Sequence, residues 1–105
     1  MEAITSEKQY YERRKELRRA YHRAQDRRDE QRQHITHLNR ALSRQKEYSR
    51  ETRREMAQQY TRAQRDIEQT HDDIDRLRRQ LSLLEDIYEE YRAQRKSRTT
   101  NTARP

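Results

Sequence analysis

The residues that this sequence lacks are the first guide to its structure. It contains no Gly, Cys, Trp, Phe or Val, and its single Pro is the last residue. Without Cys, disulfides, thiol catalysis and Cys-ligated zinc are excluded. Without Gly or internal Pro, the residues that most often interrupt helices are missing. A chain of this kind, rich in Arg, Gln, Glu, Ala and Leu, is typical of long helices, and strands are not expected.

Long apolar runs are also lacking, because only 28% of the residues are hydrophobic while 43% are charged. No run approaches the roughly 20 residues that a membrane-spanning helix needs. No signal-peptide core follows Met1. We therefore expect a soluble, intracellular protein, which would be cytoplasmic, or nuclear if its source is eukaryotic or viral.

The apolar residues that are present recur at alternating spacings of three and four, as in helices packed along a narrow seam. Arg28 and Thr70 interrupt this seam with polar side chains. In the first half of the chain the seam residues are Leu17, Tyr21, Ala24, Ile35, Leu38 and Leu42, and in the second half they are Met56, Tyr60, Ala63, Ile67, Ile74, Leu77, Leu81, Leu84, Tyr88 and Tyr91.

Two architectures fit this seam. One is a single helix of about 90 residues in a coiled-coil dimer. The other is a long antiparallel helical hairpin of the coiled-coil type. Its predicted segments are an N-terminal lead at 1–5, helix 1 at 6–46, a turn at 47–51, helix 2 at 52–95 and a disordered basic tail at 96–105. Ser6 is the expected N-cap of helix 1, and Thr52–Glu55 has the pattern of a second capping box.

A pairing test favours the hairpin. When partner positions are chosen so that their numbers add to 98, Leu38 faces Tyr60 and Tyr10 faces Tyr88. The two polar interruptions then share one layer. Against this stands a turn without Gly, Pro or Asn, the residues that such turns usually contain.

A hairpin with so few apolar residues has a thin core, so we expect self-association to add burial. The simplest form is a homodimer in a four-helix arrangement. The apolar stripe widens near the chain ends, and this widening predicts a dimer interface. Its residues are Tyr10, Tyr11, Leu83, Leu84, Ile87, Tyr88 and Tyr91.

The sequence contains no catalytic constellation. There is no Gly-rich phosphate loop and no Ser/His/Asp pattern, and a glycine-free coiled coil rarely forms a concave pocket. We expect no enzymatic activity, no cofactor, no metal site and no small-molecule substrate.

The strongest functional pattern is basic. Lys and Arg number 26 against 19 Asp and Glu, which gives a net charge of +7, and 22 of the 26 are Arg. On helix 1 the basic residues lie mostly opposite the seam, and on helix 2 three Arg recur every 11 residues. The candidate nucleic-acid-binding residues are Lys15, Arg18, Arg19, Arg23, Arg27, Arg54, Arg65 and Arg76.

Such a face suits non-specific binding to a nucleic-acid backbone, with double-stranded RNA slightly favoured because its grooves present regularly spaced phosphates and 2′-hydroxyls. The opposing interpretation is a solvated helix surface with ordinary i,i+3 ion pairs. Residues 53–105 support that interpretation, since they hold 12 basic and 10 acidic residues.

The alternative function is a coiled-coil scaffold or adaptor that binds the helix of a partner protein. Short Arg/Gln-rich helical hairpins of this general kind occur among viral RNA-binding proteins and secretion-apparatus stalk proteins. No motif in the sequence singles out either group.

Overall fold

The chain is an all-α helical hairpin. A computed structural model describes the backbone of residues 2–102 and the side chains of residues 2–44 and 46–97. No strand occurs among residues 2–102. The hairpin excludes the alternative of one continuous helix. No helix in the described part of the chain has the length and apolar character that crossing a membrane requires.

Two α-helices are joined by a tight turn. Helix α1 spans Glu7–Ser43, helix α2 spans Arg50–Thr102, and a short 3₁₀ segment at Gln45–Glu47 lies between them. The 3₁₀ segment includes a hydrogen bond of 3.0 Å from the Glu47 N–H to the Arg44 carbonyl. No described residue has positive φ, so the reversal does not need the glycine that the sequence lacks.

The turn lies slightly earlier than predicted. Helix 1 was expected to end at residue 46 and helix 2 to begin at 52, whereas α1 ends at Ser43 and α2 begins at Arg50. Ser49 caps α2, because the Thr52 N–H donates to its Oγ at 3.2 Å. The cap therefore lies three residues before the predicted one, which falls inside the first turn of α2.

The predicted disordered tail is helical over most of its length in the structure. The expected end of helix 2 was residue 95, but α2 continues to Thr102. No Gly or Pro occurs between these points to interrupt it. Residues 103–105 lie outside the described residues.

The N-terminal cap of α1 agrees with the prediction from sequence. The Gln9 N–H donates to Ser6 Oγ at 3.2 Å, and Gln9 Oε1 accepts the Thr5 N–H at 2.9 Å. These reciprocal contacts satisfy backbone donors that a helix start leaves unpaired.

The chain divides into two compact units. The terminal unit comprises Met1–Tyr21 and Arg76–Pro105, and the turn unit comprises His22–Asp75. In the terminal unit Tyr10 stacks on Tyr88, with ring centroids 3.8 Å apart, which confirms the predicted pairing. Tyr21 accepts a hydrogen bond from Arg78 Nε at 3.2 Å. Tyr21 follows Tyr10 in the sequence whereas Arg78 precedes Tyr88, so the two helices run antiparallel there.

The core of the terminal unit includes a residue that the sequence pattern missed. Ile4 lies in the segment predicted as an N-terminal lead, yet it is buried with Tyr10 and Leu84. Arg13 holds this segment against α1 by donating to the Glu2 carbonyl at 2.6 Å. Four half-buried residues pack around the cluster: Leu17, Ile87, Tyr88 and Tyr91.

The core of the turn unit follows the predicted seam but includes polar groups. Its buried apolar residues are Ala24, Leu38, Ala63, Ile67 and Ile74. Thr70 is only 2% exposed and donates to the Asp66 carbonyl of its own helix at 3.0 Å. Gln31 Oε1 is buried with no hydrogen-bond partner among the described residues.

Candidate nucleic-acid interface

The excess of positive charge is concentrated in the terminal unit. The sequence of that unit has 14 Lys and Arg against 8 Asp and Glu, whereas the turn unit has 12 against 11. The terminal unit therefore carries nearly all of the net charge of +7. An anionic molecule would therefore be attracted mainly to that unit.

Three basic side chains of the terminal unit form what we call the α1 patch: Lys15, Arg18 and Arg19. All three are exposed. Their spacing of three and four residues places them on one side of α1. No ion pair within 4.0 Å joins any of them to another residue in the described part of the chain. Their charges are thus available to an external anion.

Three other predicted basic residues differ in their surroundings: Arg23 and Arg27 of α1, and Arg76 of α2. Arg23 is exposed in the turn unit, and Arg76 is exposed in the terminal unit. Arg27 is exposed but forms a hydrogen-bonded ion pair with Asp73, in which Nη2 and Oδ2 are 3.2 Å apart. Sequence spacing did not indicate this pair, because the acidic partner is supplied by the opposite helix.

The turn unit has a second basic surface, which we call the α2 patch: Arg54, Arg62 and Arg65. These side chains line a shallow hollow of about 360 Å³ on the outer side of α2. Arg54 and Arg65 were predicted, whereas Arg62 was not assigned to the site. Its spacing of three residues from Arg65 is the signal that could have identified it.

Tyrosine side chains form a second notable cluster in the terminal unit. The ring centroid of Tyr11 lies 5.1 Å from that of Tyr10 and 6.3 Å from that of Tyr88. The planes of these ring pairs are inclined at 62° and 58°, respectively. The Arg92 guanidinium lies over the Tyr88 ring at 5.8 Å. Tyr11 remains 54% exposed. Aromatic and basic groups therefore lie side by side on this surface.

The Glu85 carboxylate of α2 contacts two side chains of α1 beside the tyrosine cluster. It accepts a hydrogen bond from the Tyr10 hydroxyl, and Arg14 Nε lies 3.7 Å away. Burial, followed by this hydrogen bond, raises the pKa of Tyr10 to about 12. Burial and the neighbouring Tyr11 hydroxyl also raise the pKa of Tyr88. Both shifts favour the neutral phenol in the folded chain.

The raised pKa of Tyr10 predicts a loss of stability at alkaline pH. Below pH 10 both folded and unfolded chains keep the phenol protonated. Between its ordinary pKa of 10.0 and about 12, the unfolded chain ionises first, so stability falls as pH rises. Urea unfolding of the wild type and of Tyr10→Phe at several pH values between 10 and about 12 would measure this loss of stability. An identical pH dependence in the two proteins would contradict the prediction.

The structure separates the seven residues of the predicted dimer interface into three groups. Tyr10 and Leu84 are buried within the chain's own core. Tyr11 and Leu83 are 54% and 46% exposed, respectively. The remaining three are half-buried: Ile87, Tyr88 and Tyr91. Of this set, Tyr11 and Leu83 offer the most surface to another molecule.

Comparison with known proteins adds no family to this description. No protein-family model matches the chain, and no curated protein or solved structure matches it. Among the described residues, no group of three or more His, Asp or Glu side chains is placed to hold a metal ion. The interpretation of function therefore depends on the charges and side chains of the chain itself.

Proposed function

We propose that the chain is a non-enzymatic helical protein that binds nucleic-acid backbones without sequence specificity, with double-stranded RNA slightly favoured. The observation that carries the proposal is the α1 patch, three exposed cations that form no ion pair with another described residue, in a unit of 14 basic and 8 acidic residues. The proposal implies an intracellular location, where such nucleic acids are found.

Binding of this kind follows from the properties of the side chains. Arg donates from a planar guanidinium that matches phosphate oxygens in pairs, and Lys supplies a flexible point charge. A helix presents such groups at fixed intervals and does not bring them to the base edges that carry sequence information. The α2 patch offers a further contact of the same chemistry in the turn unit.

The test is a titration of a short RNA duplex by fluorescence anisotropy at several salt concentrations. If the three cations of the α1 patch each neutralise one phosphate, the logarithm of the binding constant falls against the logarithm of salt with a slope of about −3 or steeper. A DNA duplex of the same sequence provides the comparison for the RNA preference. Absence of binding at low salt, or binding that salt does not weaken, would contradict the proposal.

Leu83 favours a second candidate function. It lies on α2 and is 46% exposed, although only 28% of the residues in the chain are hydrophobic. If another helix packs against Leu83, the chain acts as a coiled-coil scaffold. This helix belongs either to a second copy, in a four-helix homodimer, or to a partner protein. Light scattering of the wild type and Leu83→Asp tests the homodimer, because only the wild type should show the mass of two chains.

A further inference from the structure

Tyr11 is the exposed aromatic residue that the fold of the terminal unit does not fully use. More than half of its surface is exposed. The ring planes of its neighbours Tyr10 and Tyr88 are inclined to its own by 62° and 58°, and no described ring stacks face to face on it. By contrast, Tyr10 and Tyr88 stack on each other with an interplanar angle of 5°. Tyr11 therefore keeps ring surface available for another planar group.

Basic groups flank Tyr11 on both helices of the terminal unit. Lys15 of the α1 patch lies four residues further along α1, so it occupies the adjacent position on the same side of the helix. On α2, Arg92 lies over Tyr88, the ring beside Tyr11. An aromatic surface next to cations is the combination that binds a base together with its phosphate.

We propose that Tyr11 stacks on an unpaired nucleobase, so that the preferred ligand is a nucleic acid with a single-stranded segment beside a duplex. This inference rests on the proposed function, because the α1 patch supplies the contacts to the phosphates. It specifies the ligand further, since a blunt duplex offers no exposed base within its stack. Stacking on a tyrosine face does not depend on base identity, so the binding remains non-specific in sequence.

Charge favours this occupant over a second copy of the chain. Two copies that met at Tyr11 would bring together two terminal units, each with an excess of six positive charges. Like charges at an interface oppose association. A nucleic-acid strand has the opposite charge and supplies the planar group as well.

The test compares three RNA ligands: a blunt duplex, the same duplex with a short unpaired adenine overhang, and the same duplex with an abasic overhang of equal length. The two overhangs carry the same phosphates, so only stacking distinguishes them. The wild type should bind the adenine overhang at least about fivefold tighter than the abasic one. Tyr11→Ala should remove this preference and leave binding of the blunt duplex unchanged, whereas Tyr11→Phe should keep it.

Leu83→Ala is the matched control, because it removes a similarly exposed apolar side chain of the same unit that has no ring. It should keep the adenine preference. If both overhangs bind equally well to the wild type, or if Tyr11→Ala retains the preference, the inference fails while the proposed function stands. If the wild type binds none of the ligands at low salt, the proposed function fails as well.

A second measurement does not depend on removing Tyr11's ring. The chain has no Trp, so Tyr11→Trp introduces a single indole. The adenine overhang should quench its fluorescence, and the abasic overhang should not. A lower mass of Tyr11→Ala than of wild type by light scattering would instead indicate that a second copy covers Tyr11, and would overturn the inference.

Discussion

Changing Lys15, Arg18 and Arg19 together to Glu should weaken binding of an RNA duplex by about a hundredfold or more at moderate salt. Each lost phosphate contact removes the release of about one counterion, and the new carboxylates repel the backbone. The salt slope should become shallower by about 3 for the same reason. The three side chains are exposed and form no ion pair with other described residues, so the fold should persist. Anisotropy measures the affinity, and circular dichroism checks the helix content.

A matched triple variant in the turn unit provides the control. Arg54→Glu, Arg62→Glu and Arg65→Glu together lower the net charge by the same amount. The surroundings of the α2 patch are nearly neutral, with 12 basic and 11 acidic residues in the unit, so this variant should lose less affinity. Equal losses in the two triple variants would show that binding depends only on overall charge. That result would contradict the assignment of the main contact to the α1 patch.

Leu84→Ala should lower the free energy of unfolding by about 3 kcal/mol. Leu84 is the one large side chain with 0% exposure in the described part of the chain, and it contacts Ile4 and Tyr10. Replacement by Ala removes its buried methyl groups and leaves a cavity that the two helices can close only in part. Urea unfolding followed by circular dichroism gives the free-energy difference. In a chain with so little apolar core, this loss is a large fraction of the total stability.

Leu83→Ala is the natural control, because it makes the same chemical change one residue earlier. Leu83 is 46% exposed, so its loss should cost about 1 kcal/mol or less. The two variants should therefore differ clearly at low protein concentration. If Leu83→Ala is as damaging as Leu84→Ala, and more so at high concentration, another chain covers Leu83. That outcome would support the second candidate function.

Much of the fold follows from the sequence because the seam is regular. Ala24, Leu38 and Leu77 were assigned to it from spacing alone, and all three are buried. The pairing of Tyr10 with Tyr88 followed from one choice of register. Heptad spacing fixes which side of each helix faces its neighbour, and a short turn fixes which positions meet.

The places where prediction and structure differ have local causes. Ile4 has no periodic partner in the sequence, so its burial depends on contacts that only the folded chain makes. The position of the turn depends on a 3₁₀ segment at Gln45–Glu47. This segment contains no Gly or Pro, so the composition of the sequence did not indicate where the turn lies. The continuation of α2 to Thr102 was missed because Ser and Thr were taken as evidence of disorder.

The candidate interface was predictable only in part. Exposure of Lys15, Arg18 and Arg19 followed from their positions opposite the seam. The ion pair of Arg27 with Asp73 could not be read from one helix, because it joins two. Tyr11 was predicted in a dimer interface from the apolar stripe, and its position beside the α1 patch gives it a different proposed role.

The polar groups inside the turn unit have a consequence for motion. Thr70 donates to its own helix, and Gln31 Oε1 has no partner among the described residues, so neither group ties α1 to α2 by a hydrogen bond. Two of the five buried apolar side chains nearby are Ala, which contribute little area. Amide hydrogens in this unit should therefore exchange with solvent through frequent local openings. Under the proposed function, such openings would let the turn unit adjust to the varying width of a nucleic-acid groove.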